Sequence, residues 1–360
     1  MFKWGIIGVG LVSRAFTVGV NGCASSASVV TVYSKKKESS EHFAKDCGIK
    51  FVANSVEELC ASGIDAVYIA TPPKYHEEYA LACISLGLPI LVEKPFAYDS
   101  HAALRIINAA NEKGVFCMEG LWTRFLPLIS EVKTLVDSGL LGELRSFRGD
   151  FLAANVPDLE VSQFDPAKGG GALMYRGIYP LSLAQYFMGP IDDVSSMVNI
   201  GDTGVDEDCS LCVQHSSGSI SNIRASLRVG GRNDFEIHGT HGRVFVKGPI
   251  MRPYIAYVSF AKPLEGKALG KGGKLDAIRG YSFFQKMKQV VTRLPFFSRY
   301  PGETEIAHYY KGNGFTHEVE DFMSGVSSGL IESEVMPLSD TYEMMKLMDD
   351  LRASWSILER

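Results

Sequence analysis

Lys3-Trp-Gly-Ile-Ile7 runs straight into Gly8-Val-Gly10-Leu-Val-Ser13, and the architecture follows from that junction. A short apolar run feeding a glycine-rich turn, with a helical pattern after it, predicts the first strand, turn and helix of a dinucleotide-binding sheet. Gly8 permits the tight turn, Gly10 lets the backbone approach a pyrophosphate, and a helix start favours the negative charge. Ser13 holds a position usually given to Gly or Ala, so slightly looser packing is expected there. Leu11 and Val12 lie on the same turn and join Gly8, Gly10 and Ser13 as candidate cofactor contacts.

Outward from this turn, short apolar runs recur at Val29–Tyr33, Ala66–Ala70, Pro89–Val92 and Val115–Met118, with helical stretches at 38–47, 76–86 and 100–113 between them. Alternation of this kind predicts a doubly wound parallel sheet, a Rossmann domain over residues 1–121. After that the rhythm changes. A helix at 127–138 precedes long alternating segments such as Leu144–Leu152 and Ser219–Val229, which predict an α+β domain over 122–360 with a large, open, mostly antiparallel sheet. Its uncovered face is a natural oligomer interface, and a homodimer or homotetramer through it is expected. Ser339 to Ile357 reads as a helix with Ser339 as N-cap.

With 36 Lys and Arg against 41 Asp and Glu, the chain has no basic excess for nucleic-acid binding, and small-molecule chemistry is the better expectation. Seven cysteines at irregular spacings make no disulfide framework and suggest a reducing, cytoplasmic setting. Cys209 and Cys212 form a C-x-x-C, but the surrounding residues 207–214 read as a strand and no second pair completes a zinc site, so no metal is expected. No apolar run reaches the ~20 residues of a membrane span. Lys3 and Ala24-Ser-Ser-Ala27 superficially resemble a secretory leader, yet Gly5, Gly8, Gly10 and Arg14 fit a strand and turn better.

Cofactor choice is read at the end of the second strand. An NAD site usually carries Asp or Glu there to hold the ribose hydroxyls. Here the run is Val32-Tyr-Ser34-Lys35-Lys-Lys37, with the nearest acid, Glu38, already in the next helix. Ser34 and Lys35 suit a 2′-phosphate, so NADP(H) is favoured over NAD(H). Thr71, Pro72, Pro73 and His76 at the end of the third strand, and Glu93 and Lys94 at the end of a later one, lie on the sheet edge where such folds bind ligands.

With Glu93-Lys94-Pro95 in view, the sequence resembles the Gfo/Idh/MocA family of oxidoreductases, especially its dimeric dihydrodiol dehydrogenase branch. The likeness continues in Trp122-Thr-Arg124-Phe125, Gly169-Gly-Gly-Ala-Leu-Met174, Gly177-Ile-Tyr179-Pro, Gly314-Phe-Thr-His-Glu318 and Met336-Pro-Leu-Ser339, and so covers nearly the whole chain. The resemblance implies that Lys94 polarises the reacting hydroxyl, that Tyr179 is its proton-transfer partner, and that Trp122, Arg124 and Phe151 shape the substrate pocket. The implied substrate is small and polyhydroxylated or cyclic. Nearby cations should lower the Tyr179 phenol, and a nicotinamide's charge should lower the Lys94 ammonium.

Two departures matter. Where the family helix bears an Asp, this chain has Tyr175, followed by Arg176 in place of an apolar residue. Four-residue spacing puts Tyr175 and Tyr179 on one helix face, and Arg176 can reach a phosphate or carboxylate. Two functions are open: an NADP-dependent dehydrogenase or reductase of a sugar-like or diol-like substrate, or a catalytically weak NADP-binding sensor in which loss of the Asp has removed turnover. The second departure is 262–299, which holds nine Lys or Arg, two acids and an apolar stripe from Phe283 to Leu294. A helix packed on the sheet or at a subunit contact is expected there, with an anionic surface as the other possibility.

Overall fold

The computed structural model describes residues 1–23, 27–260, 303–310 and 312–358; the basic stretch 262–299 therefore lies outside the described residues. Six parallel strands form the first sheet: β1 (Phe2–Ile7), β2 (Ala27–Tyr33), β3 (Phe51–Val52), β4 (Ala66–Ile69), β5 (Ile90–Glu93) and β6 (Cys117–Gly120). Their order, β3-β2-β1-β4-β5-β6, reverses direction of growth at β1/β4. In such sheets that reversal opens the ligand crevice at the carboxyl ends of the strands. Strand β3 has only two residues and follows the second helix; a run so short carries no periodicity, and the sequence reading missed it.

Helices α1 (Leu11–Asn21), α2 (Lys37–Cys47), α3 (Val56–Cys60), α4 (His76–Ser85) and α5 (Ser100–Lys113) connect these strands. Their ends follow local chemistry. The Asp99 carboxylate accepts from Ala102 N at 2.8 Å, capping α5, and Gly114 ends it at φ 62°, a pairing in which the cap alone stabilises by about 1 kcal/mol.

Helix α6 (Pro127–Asp137) leads into the second sheet, which gathers β7 (Leu144–Leu152), β8 (Ile191–Ile200), β9 (Asp206–His215), β10 (Ile220–Ser226), β11 (Phe235–Gly239), β12 (Gly242–Val246), β13 (Ile255–Phe260) and β14 (Thr304–Ala307). The order is β14-β13-β12-β11-β7-β10-β9-β8. Only the β10–β7 pair is parallel. One face packs on α7 (Ile178–Met188), where Phe147, Phe187 and Phe235 stack; the other alternates polar and exposed positions along β9 and β10. Cys209 is buried and Cys212 exposed within β9, because an odd separation sends strand side chains to opposite faces, so the two do not form a paired ligand set.

The last two helices, α8 (Phe315–Ser327) and α9 (Leu338–Leu358), return to the first domain. The Thr316 hydroxyl donates to Gly19 O at 3.0 Å, Cys117 N donates to Ile331 O at 3.0 Å, and Phe322 lies 4.8 Å from the rings of both Trp4 and Phe116. Helix α9 starts at Leu338, with Leu338 N donating to Glu332 Oε2 at 2.6 Å. Ser339 therefore sits inside the first turn and is not the N-cap; the carboxylate six residues earlier takes that place. Among the described residues no helix is long and apolar enough to cross a membrane.

Candidate active site

Two clefts lie at the carboxyl edge of the first sheet. One is lined by Gly8, Val9, Ser34, Lys35, Lys36, Ser39, Thr71, Pro72, Tyr75 and Tyr79, among others; the other, beyond the start of α1, by Leu11, Val12, Glu93, Lys94, Trp122, Phe151, Gln163, Tyr175, Arg176, Tyr179, Met251 and Phe315. Gly8 stands at φ +95°, and a Cβ there would meet the Ala70 carbonyl oxygen at 2.7 Å, so the turn admits only glycine. At Gly10 an added Cβ meets nothing within 4 Å: the backbone faces open space at a helix start that no side chain caps. Leu11 is 88% exposed there. An uncapped helix start beside bare backbone fits a dinucleotide pyrophosphate.

Ser13 is buried and its hydroxyl donates to Gly8 O at 2.9 Å, so it locks the turn from behind and does not face the cleft. Rather than loosening the packing, Ser13 adds a bond that Ala lacks. Ser34 donates to Lys36 O at 3.0 Å and lies 2.7 Å from Ser40 Oγ, shaping the loop. Lys35 sits over the rings of Tyr75 at 4.4 Å and Tyr79 at 5.9 Å, with a loose pairing to Glu78 at 3.8 Å. Lys36, Ser39, Tyr75 and Tyr79 were missed by the sequence reading. No carboxylate among the described residues lines this cleft.

His76 lies outside both clefts. Its Nδ1 is 3.1 and 3.2 Å from the carbonyl oxygens of Pro95 and Phe96, and its Nε2 is 2.7 Å from that of Thr71. Burial pushes the imidazole down to about 4; neutral, it carries one N–H and donates to one loop only, either to Thr71 O or to the Pro95 and Phe96 carbonyls, and its ring is packed between the two loops, away from the clefts. Pro73 is buried at the start of a short 3-10 turn beside it.

Lys94 is held by the buried frame beneath it. Glu93 accepts from Lys94 N at 3.1 Å and from the Tyr68 hydroxyl at 2.5 Å, which fixes the strand end. The Lys94 ammonium donates to Tyr175 O at 3.3 Å and lies 5.0 Å from the Tyr179 ring and 5.4 Å from the Tyr175 ring. Residues Leu173–Gly177 form a π-turn at the head of α7; its wider winding brings Tyr175, Arg176 and Tyr179 to the same cleft. Burial pushes Lys94 down to about 8, with Arg176 adding to the shift and Glu93 and Glu119 opposing it. Tyr179 departs from expectation: burial, reinforced by Glu93, pushes its phenol up, outweighing Trp122 and Arg176. It is a protonated donor at every physiological pH.

Trp122 stacks on Phe315 at 5.0 Å, and Gly314, at φ +98°, makes room for it, since a Cβ there would stand 2.2 Å from the indole ring. Phe151 meets Tyr179 edge-on at 5.4 Å. Arg124 is absent from the pocket. Fully buried, it donates to Ser182 Oγ at 2.7 Å, Ser182 O at 3.0 Å, Asp340 at 2.7 Å, Gln185 at 3.3 Å and Val335 O at 3.3 Å. Its guanidinium joins the 3-10 turn at 122–125 to α7 and α9.

A buried lysine and a phenol thus stand together in a cleft beside the glycine turn at the carboxyl edge of a doubly wound sheet. A family model described as an oxidoreductase family with an NAD-binding Rossmann fold matches residues 2–121, and the GFO/IDH/MocA C-terminal domain matches residues 129–245. The chain belongs to the Gfo/Idh/MocA oxidoreductase family. Among its relatives, the trans-1,2-dihydrobenzene-1,2-diol dehydrogenase of Xenopus laevis is 27% identical over 353 residues, 97% of this chain and 96% of that one; the protein of the same name from Homo sapiens is 25% identical over 356 residues, 97% and 96%. Levoglucosan dehydrogenase, solved with NADH and levoglucosan, has a TM-score of 0.77 at 22% identity, covering 97% of this chain and 95% of that one. A 3-ketoreductase from Actinomadura kijaniata, solved with NADP and TDP-benzene, has a TM-score of 0.77 at 21% identity, covering 98% and 97%. One neighbour thus holds NADH and the other NADP.

Proposed function

We propose that the protein is an NADP(H)-dependent oxidoreductase interconverting a secondary hydroxyl and a carbonyl on a sugar-like or diol-like substrate, with Lys94 and Tyr179 as its proton-transfer pair. The observation that carries this reading is the Lys94 ammonium packed between the rings of Tyr175 and Tyr179 in a cleft continuous with the uncapped start of α1. Gly8, Gly10, Leu11 and Val12 would hold the pyrophosphate side of the cofactor, and Ser34, Lys35, Lys36 and Ser39 its 2′-phosphate. When bound, the nicotinamide supplies or accepts the hydride.

During oxidation the Lys94 amine takes the proton of the substrate hydroxyl as the carbinol carbon loses hydride; during reduction the ammonium returns it. Tyr179 donates a hydrogen bond to the same oxygen and steadies the charge that develops there. Trp122 and Phe151 wall the cleft and exclude water. A homodimer or homotetramer through the open face of the second sheet, and a reducing cytoplasmic setting for the seven free cysteines, accord with this reading.

Lys94 sets the pH dependence. A neutral amine is needed for oxidation, so kcat/KM in that direction rises with pH and levels off above about 8, while reduction needs the ammonium and declines above the same point. Initial rates in both directions across the pH range test this; profiles with no break near 8 refute it. Replacing both Lys35 and Lys36 by Ala should weaken NADPH binding about ten-fold, the loss of a charge-assisted contact, and leave NADH binding far less affected. Fluorescence titration measures both, and equal weakening would remove the 2′-phosphate assignment.

A further inference from the structure

Arg176 is the cation in the substrate cleft that the proposed reaction does not use. Its side chain is half-buried at the π-turn, with the guanidinium 4.8 Å from the Phe151 ring. Among the described residues its hydrogen bonding amounts to a single long contact, from Nη2 to Gln163 Oε1 at 3.4 Å, and its buried Nε finds no acceptor. A guanidinium carries five N–H donors in a planar fork, so most of that capacity is unspent.

The electrostatics point the same way. Burial is the main influence on the guanidinium, which it drives down, and no carboxylate opposes it. The acid lining the cleft, Glu93, is bound on both oxygens by Lys94 N and the Tyr68 hydroxyl. Lys94 feels Arg176 as a like charge. Two cations therefore share one cleft, and only one of them has an acid nearby. By contrast, buried Arg124 pairs with Asp340, and half-buried Arg148 with Asp150 and Asp234. A cation–π contact with Phe151 recovers part of the desolvation cost but leaves the in-plane donors empty.

Resting on the oxidoreductase reading of this cleft, we infer that the substrate carries an oxyanion, a carboxylate or phosphate ester, which docks on Arg176 with Gln163 as its neutral neighbour. An anion there would fill the fork in plane while its hydrocarbon part lies on Phe151 and Trp122, and would offset the second positive charge beside Lys94. The substrate class becomes acidic sugars and hydroxy acids, as opposed to neutral sugars and diols.

The test uses the full-length protein loaded with NADPH and reads nicotinamide fluorescence against matched ligands: D-glucose, D-glucuronate and D-glucose 6-phosphate; D-galactose and D-galacturonate; glycerol, glycerate and glycerol phosphate. At least one acidic member should bind about ten- to a hundred-fold more tightly than its neutral counterpart, the value of a charge-assisted contact. The carboxylate and phosphate arms show which oxyanion fits. In Arg176→Met, whose stem still covers Phe151, the preference should collapse; in Arg176→Lys, which keeps the charge without the fork, it should fall part-way, and melting curves verify that both variants fold.

Equal or tighter binding of every neutral member, or an acid preference that survives Arg176→Met, overturns the inference while leaving the oxidoreductase reading intact. So does a loss confined to NADPH affinity in Arg176→Met, which would place the guanidinium on the cofactor. Failure of the wild-type protein to take up NADPH at the loading step, by contrast, strikes the oxidoreductase reading itself.

Discussion

Lys94→Ala is expected to lower kcat/KM by about a thousand-fold in either direction, within the range a positioned proton-transfer group supplies, while dinucleotide binding changes little. The reason is local. Burial brings the ammonium down to about 8, where it can both accept and release a proton near neutrality. Its replacement leaves Tyr179, held protonated by burial, as the neighbouring donor, and a phenol in that state cannot accept the hydroxyl proton during oxidation. Reduction should fall by the same factor, since the equilibrium constant ties the two directions together. Steady-state kinetics on the variant check both points; a variant that keeps more than a tenth of wild-type kcat/KM would remove Lys94 from the chemistry.

Arg124→Ala costs about 3–5 kcal/mol of folding free energy, the range for breaking a buried ion pair by removing one partner. The loss reaches beyond the pair with Asp340, because four further acceptors on Ser182, Gln185 and Val335 lose their donor and the emptied volume lies under the Tyr186 ring, 5.0 Å from the guanidinium. Arg124→Lys recovers little, since a single ammonium cannot span Ser182 and Asp340 together. Urea unfolding measures the change, and a shift below about 1 kcal/mol contradicts this account. A protein with Arg124→Ala that remains folded should bind ligands normally, which separates a structural arginine from a pocket residue.

That contrast shows where sequence reading reaches and where it stops. The first strand, its glycine turn, Lys94 and Tyr179 sit in contiguous motifs whose spacing already carries their geometry, and the structure places Lys94 and Tyr179 together. Trp122 and Phe151 also line the cleft. The resemblance carried by Trp122-Thr-Arg124-Phe125 implies a pocket role for Arg124, yet its partners Ser182 and Asp340 lie 58 and 216 residues away, beyond any local pattern. His76 failed similarly: its loop faces the cofactor edge, but its ring turns inward to three carbonyls. Gln163, Met251 and Phe315 reach the cleft from remote segments, and no local signal marks them. The π-turn that brings Arg176 beside Tyr175 and Tyr179 is likewise invisible in a pattern read at helical period.

The return of the chain end to the first domain bears on how the protein is made. When a ribosome has released the first 121 residues, every strand of the cofactor sheet has been synthesised, but Trp4 and Phe116 still lack Phe322, the ring that covers both. Gly19 O and the amide of Cys117 likewise wait for Thr316 and Ile331. The nascent amino-terminal third therefore carries a sticky apolar seam until Phe322 has been made, a state prone to aggregation. An excised amino-terminal fragment would keep that seam bare and so be a poor reagent for nucleotide-binding studies.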